Sequence, residues 1–128
     1  MNINVIRQEV AQRLADLGLE GYAELPAQPE FPCAIVDLPE VVSFHSDYAH
    51  SITTVEVGVR VFVGRGELID AQRELGDYIS TDTPESVLVA LEAKPNPSAW
   101  ARLKVERTSS LLNEGDALGV AFTLTIDA

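Results

Sequence analysis

Ile3, Ile6, Val10, Leu14 and Leu17 recur three and four residues apart, with Arg7, Gln8, Gln12, Arg13 and Asp16 between them. That spacing predicts an amphipathic helix, and Gly18 just past its last apolar residue predicts the stop. Residues 25–32 hold three prolines and predict an extended connector, because proline fixes φ and removes a backbone donor. Residues 33–38 read as an apolar strand ended by Pro39, and residues 41–44 as its continuation or as the return arm of a hairpin. Residues 45–51 are polar and turn-like.

From residue 52 to 63 the period changes to two. Val55, Val57, Val59, Val61 and Val63 fall on one face, with Thr54, Glu56, Gly58, Arg60 and Phe62 on the other. Gly64, Arg65 and Gly66 break this strand. A second helix follows, with Leu68, Ala71, Leu75, Tyr78 and Ile79 on one side and Asp70, Arg73, Glu74 and Asp77 mostly opposite. A third is expected from Pro84 to about Ala93, with Thr83 as its cap and Glu85 in the first turn. Residues 94–97 form a loop. Strands over 101–109 and 117–126 close the chain, joined by a turn around residues 113–116. This order predicts an α+β fold, with a single mixed, mostly antiparallel sheet and helices packed on one face. At 128 residues the chain fits one domain, 1–128, since domains run from roughly 50 to 250 residues.

The last strand is the most informative. Leu118, Val120, Phe122, Leu124 and Ile126 make its large apolar face, while Ala117, Gly119, Ala121, Thr123 and Thr125 make the other. A solvated sheet face normally carries charges or long polar side chains. A face of small residues invites close approach, either by a loop or helix of the same chain or by a neighbouring copy.

Charge narrows the function. Between Arg13 and Arg60 there is no lysine or arginine but eight acids, Asp16, Glu20, Glu24, Glu30, Asp37, Glu40, Asp47 and Glu56. Positive charge is densest at Arg102, Lys104 and Arg107, and the net charge is −11. Nucleic-acid capture is disfavoured, because phosphate binding needs a positive surface. An acidic half with a short basic stripe suits head-to-tail self-association instead. The lone cysteine, Cys33, excludes an intramolecular disulfide and reads as a small core residue. No stretch approaches the ~18 apolar residues of a membrane helix. The amino terminus lacks a signal-peptide pattern, so cytoplasmic synthesis is expected.

Candidate chemistry is sparse. His45, Asp47 and His50 are the one group resembling a metal site, but their spacing matches no known geometry and exposed loop histidines are the ordinary explanation. Ser43, Ser46 and Ser51 lie near these histidines without a nucleophile elbow or an evident oxyanion hole. Gly64-Arg65-Gly66 lacks the rest of a phosphate loop. Trp100, at the mouth of a strand, either caps the core or anchors a partner, capping being favoured. No catalytic, cofactor-binding or metal residue is assigned. The chain reads as an assembly component rather than an enzyme.

One family matches this order of elements. The amphipathic opening helix leads to the entry Pro26-Ala27-Gln28-Pro29-Glu30-Phe31-Pro32, then to the strand Ala34-Ile35-Val36 ending at Pro39. A loop with Tyr48 and the long strand 55–63 follow, then the helix 68–80, the helix opening Pro84-Glu85-Ser86-Val87, and a closing strand pair. The chain thereby resembles the tail terminator proteins of long-tailed, lambda-like bacteriophages, a family of minor tail proteins. The resemblance implies a homo-hexameric ring in the virion, at the head–tail junction, assembled in the host cytoplasm. The ring would cap the tail tube protein, end its polymerisation and dock the head-completion or connector protein. DNA would pass through without specific binding, and no cofactor is implied. Head-to-tail connector rings share a related α+β fold, so the neighbouring slot also fits. The rival from another class is a small dimeric ligand-binding α+β domain with an apolar pocket between sheet and helices.

In a ring, Asp37, Glu40, Asp47 and Glu56 are expected to include lumen-facing acids, since like charge lets a duplex slide. Arg102, Lys104, Arg107, Ala117, Gly119, Ala121, Thr123, Tyr48 and Trp100 are the expected subunit or partner contacts. The loop 45–51 is expected to be mobile in a free subunit and ordered against a partner.

Overall fold

A computed structural model describes residues 2–24, 28–38, 40–44, 52–80, 86–92, 100, 102–108 and 111–127. Its elements run α1 (Ile3–Ala15), β1 (Glu20–Tyr22), β2 (Cys33–Val36), β3 (Glu40–Phe44), β4 (Ile52–Gly64), α2 (Leu68–Ile79), α3 (Val87–Glu92), β5 (Arg102–Thr108), β6 (Leu112–Glu114) and β7 (Ala117–Asp127). The seven strands form one mixed sheet, antiparallel everywhere except where β1 lies parallel to β2. The predicted α+β class is the class found.

The two long strands hold the centre. β4 and β7 pair antiparallel from Thr54 opposite Asp127 to Gly64 opposite Ala117. Each flank is a strand in two pieces. β2 and β3 lie end to end along β4, so residues 40–44 both continue β2 and form a hairpin arm with β4. The strand expected over 33–38 stops at Val36, yet Asp37 N–H still donates to the Gly58 carbonyl at 2.8 Å, keeping the chain beside β4. On the other flank β5 and β6 lie end to end along β7.

Alternation places the core as predicted. Val55, Val57, Val59, Val61 and Val63 meet Leu118, Val120, Phe122, Leu124 and Ile126 on one face. Ile6, Val10, Leu14, Ala71, Leu75, Tyr78, Val87 and Leu91 cover them from the three helices. Burying each such Val, Leu or Ile contributes about 1.5–3 kcal/mol, which is why the helices stay on this face. The Asn2 side chain caps α1 by accepting from the Asn4 and Val5 amides at 3.0 and 3.3 Å, and Gly18, at φ +93°, lets the chain leave the helix. Gly21 is where α1 crosses β1: a Cβ there would run into the Ala11 carbonyl oxygen, so only glycine allows the approach.

Several local expectations are corrected. Arg13 is buried, not on a polar helix face. Its guanidinium lies 4.7 Å from the Trp100 ring centroid, its Nη1 donates to the Leu91 carbonyl at 3.1 Å, and its Nε reaches Glu9 at 3.3 Å. The aromatic face and the carbonyl replace part of the water an arginine would otherwise seek, while its buried Nη2 has no hydrogen-bond partner among the described residues. The first turn of α3 is capped by Ser86, whose hydroxyl accepts from the Val89 amide at 3.3 Å and donates to the Ser80 carbonyl. The expected start at Thr83-Pro84-Glu85 lies outside the described residues. Leu68 and Ile79, assigned to the core side of α2, are 47% and 43% exposed, because the helix packs through Ala71, Leu75 and Tyr78 and its ends overhang. No helix among the described residues is long and apolar enough to cross a membrane.

Candidate interaction face

The face of the sheet away from the helices divides into two halves. Toward one end, Cys33, Ile35, Phe62 and Ala117 form a second, smaller buried cluster, with Tyr22 and Leu112 packed against it. The Tyr22 hydroxyl accepts from the Glu30 amide at 3.1 Å, tying the proline-rich entry to this corner. The Phe62 ring lies on Gly119: a Cβ there would sit 2.7 Å from both Phe62 Cε1 and the Val61 carbonyl oxygen. Ala117 is also buried. Both residues, expected as contacts for a partner, are buried within the chain, Gly119 directly against the Phe62 side chain of the neighbouring strand. Farther along the small-residue stripe Ala121, Thr123 and Thr125 are half-buried, and the Thr125 hydroxyl oxygen is itself buried. Trp100 is likewise 4% exposed and caps the core, so its ring is not offered to a partner.

Cys33 belongs to that corner. Burial pushes its thiol above the ordinary value, an effect larger than the opposing hydrogen bond from the Phe62 backbone and the field of Arg60. A buried thiol held protonated is a packing group rather than a nucleophile.

The other half is polar. Asp37 accepts from Arg60 Nη2 at 2.8 Å and from Arg60 Nε at 3.2 Å. Gly58 leaves room for that carboxylate, which comes within 3.1 Å of where a Cβ would be. Glu40 on β3 is directly opposite Glu56 on β4. Among the described residues neither acid forms an ion pair, and like charges directly opposite one another destabilise a strand pair. Thr54 Oγ1 donates to Asp127 Oδ1 at 2.9 Å.

Beyond β7, Lys104 is exposed and in register with Thr125. Arg102 is in register with Asp127. A bulge between Val105 and Arg107 then brings Arg107 level with Thr123. Three of the four expected lumen acids, Asp37, Glu40 and Glu56, thus come together, and the three expected basic positions share one strand. Asp47 and Tyr48, with His45, His50 and the whole loop 45–51, lie outside the described residues. Among the described residues no group of three or more His, Cys, Asp or Glu is placed to hold a metal ion.

One feature escaped the periodicity. Gln72, Leu75, Gly76, Ile79, Leu111 and Val120 line an open groove of about 300 Å³ beside α2. Two of its lining residues, Ile79 and Leu111, are exposed, as are Leu68 and Ile69 at the start of α2. Helical spacing marks the apolar side of α2 but not how far the sheet extends beneath it. Comparison with protein families finds none that matches the chain, and comparison with curated proteins finds no match either.

Proposed function

We propose that this chain is a structural tail terminator of a long-tailed bacteriophage, forming a ring that caps the tail tube and docks the head-completion complex. One observation carries the reading. The sheet has one face packed by three helices and one polar half-face that no described element covers, with acids at the β3 side and a base, Lys104, at the β5 side. A ring requires two unlike patches on each subunit, and a surface charged oppositely at its two edges supplies them. In this arrangement Glu56, one strand in from the edge where Glu40 lies, lines the passage, where negative charge keeps DNA from sticking. Asp37 contributes less there, since Arg60 already neutralises it.

The test is shape. Light scattering and negative-stain images of the purified protein, alone and mixed with tail tubes, should give a ring of about six copies with a hole that admits a duplex. A twofold pair with no hole, or a chain that never joins tube ends, overturns the proposal. The small-ligand alternative draws on the groove beside α2. At about 300 Å³ it reaches only the low end of ligand pockets, and it offers one polar side chain, Gln72, to orient a ligand.

A further inference from the structure

We infer that copies of this chain join head to tail through two sheet edges on which no described strand pairs, β5 of one copy against β3 of the next, registered by two rows of charge. The first row crosses four strands as Glu40, Glu56, Thr125, Lys104. The second runs Asp37, Gly58, Thr123, Arg107, with Asp37 held beside Gly58 by its backbone bond. Each row begins with a carboxylate at one edge and ends with a basic residue at the other. The sequence places these residues far apart, and register alone aligns them.

The alignment selects one mode of association. β3 is antiparallel to β4, β4 to β7 and β7 to β5, so β5 and β3 run in opposite directions. A neighbour added edge to edge at the same level brings Lys104 to the next copy's Glu40 and Arg107 to its Asp37. Both rows align in the same step, and the first carries the attraction, since Arg60 already pairs with Asp37. Turning the neighbour around sets bases against bases or acids against acids, which costs association. The pattern therefore selects a heterologous contact, the kind that closes rings. The unrelieved pair Glu40 and Glu56 points the same way, since a cation beside Glu40 offsets their repulsion.

The seam is bridged by side chains rather than by a continuous backbone ladder. Register breaks interrupt β3 at Val41/Ser43 and β5 at Val105/Arg107, and bulges of this kind guard edges against strand addition. β1 also stands one strand further out than β3, which holds a neighbour off by roughly one strand spacing of 4.8 Å. The long, exposed Lys104 side chain spans such a gap.

The seam deepens the ring reading and rests on it only for closure, so the two fail separately. Sedimentation velocity at low ionic strength compares the wild type, Lys104→Glu, Glu40→Lys and an equimolar mixture of the two variants, each checked for native circular dichroism. Each variant alone should lose at least about tenfold in association constant, through like charges meeting at the seam. The mixture should recover, because in alternation the two reversed edges meet each other as one opposite pair and the two unreversed edges meet each other as another. Wild-type rings with variants that assemble equally well overturn the seam and leave the ring standing. Charge-dependent open chains without rings leave the seam standing and overturn the ring. A wild type that stays monomeric at every concentration overturns the seam.

Discussion

The two faces of the β4–β7 pair are made from alternate residues of the same strands, yet they are built on different principles. On the helix-covered face every position is apolar, from Val55 to Val63 and from Leu118 to Ile126. On the open face a small apolar corner around Phe62 gives way to a band of charges and threonines. The covered face is specified by apolarity and volume, and any strand of the right period would be recruited to it. The open face has meaning only once register is known, because its features are relations between strands: Phe62 on Gly119, Asp37 with Arg60, Glu40 against Glu56.

The most severe way to break this comparison is to shorten adjacent residues that point to opposite faces. Leu124 is fully buried and Thr123 is half-buried on the open side. Leu124→Ala should cost about 2–5 kcal/mol in urea unfolding, through lost transfer energy and the cavity left behind. Thr123→Ala should stay within about 0.5 kcal/mol of the wild type, as an ordinary surface change does. Equal losses would mean that the open face is covered by the folded chain itself and that the contrast is false.

A smaller effect sharpens the division within the open face. If the Phe62 corner is a true second core, Gly119→Ala should cost about 1–3 kcal/mol by overpacking, since the added methyl meets the Phe62 ring and the Val61 carbonyl. Phe62→Leu in the same chain should relieve part of that, with a coupling of at least about 0.5 kcal/mol in a double-mutant cycle. Ala121→Ser, two residues along the same stripe, should change stability by under about 0.5 kcal/mol. Additive effects at Gly119 and Phe62 would show that the corner is loosely packed.

The covered face was legible in the sequence and most of the open face was not. α1, β4, α2 and β7 are long enough for period to declare itself, and their apolar residues identify the core. β1 and β6 have three residues each, too few for alternation, and β1 contains the glycine that α1 needs at its crossing. Arg13 read as solvent-facing because its partners, Leu91 and Trp100, arrive much later in the chain. Among the expected site residues, charge alone singled out Asp37, Glu40, Glu56 and Lys104. Their common rows depend on cross-strand pairing that no local pattern encodes. The smallness of Ala117 and Gly119 was visible, but the side chain that packs on Gly119 was not, because Phe62 lies far off in sequence and next door in the sheet.

The smallest expected effect has the most diagnostic sign. Glu40 and Glu56 oppose each other with no described cation near enough to pair with either. In the free subunit, Glu56→Gln and Glu40→Gln should each raise stability by roughly 0.2–1 kcal/mol, read as a higher urea midpoint at unchanged slope. Salt should shrink the gain, since added ions already screen the repulsion. Association should tell the two apart. Glu40 ends its row at the free edge of β3, whereas Glu56 lies one strand inward. Glu40→Gln should therefore stabilise the subunit and weaken the contact between copies, while Glu56→Gln stabilises it and leaves the contact nearly intact. A destabilised Glu40→Gln subunit would show that this carboxylate serves the fold of its own chain, and the repulsion would then have no bearing on a neighbour.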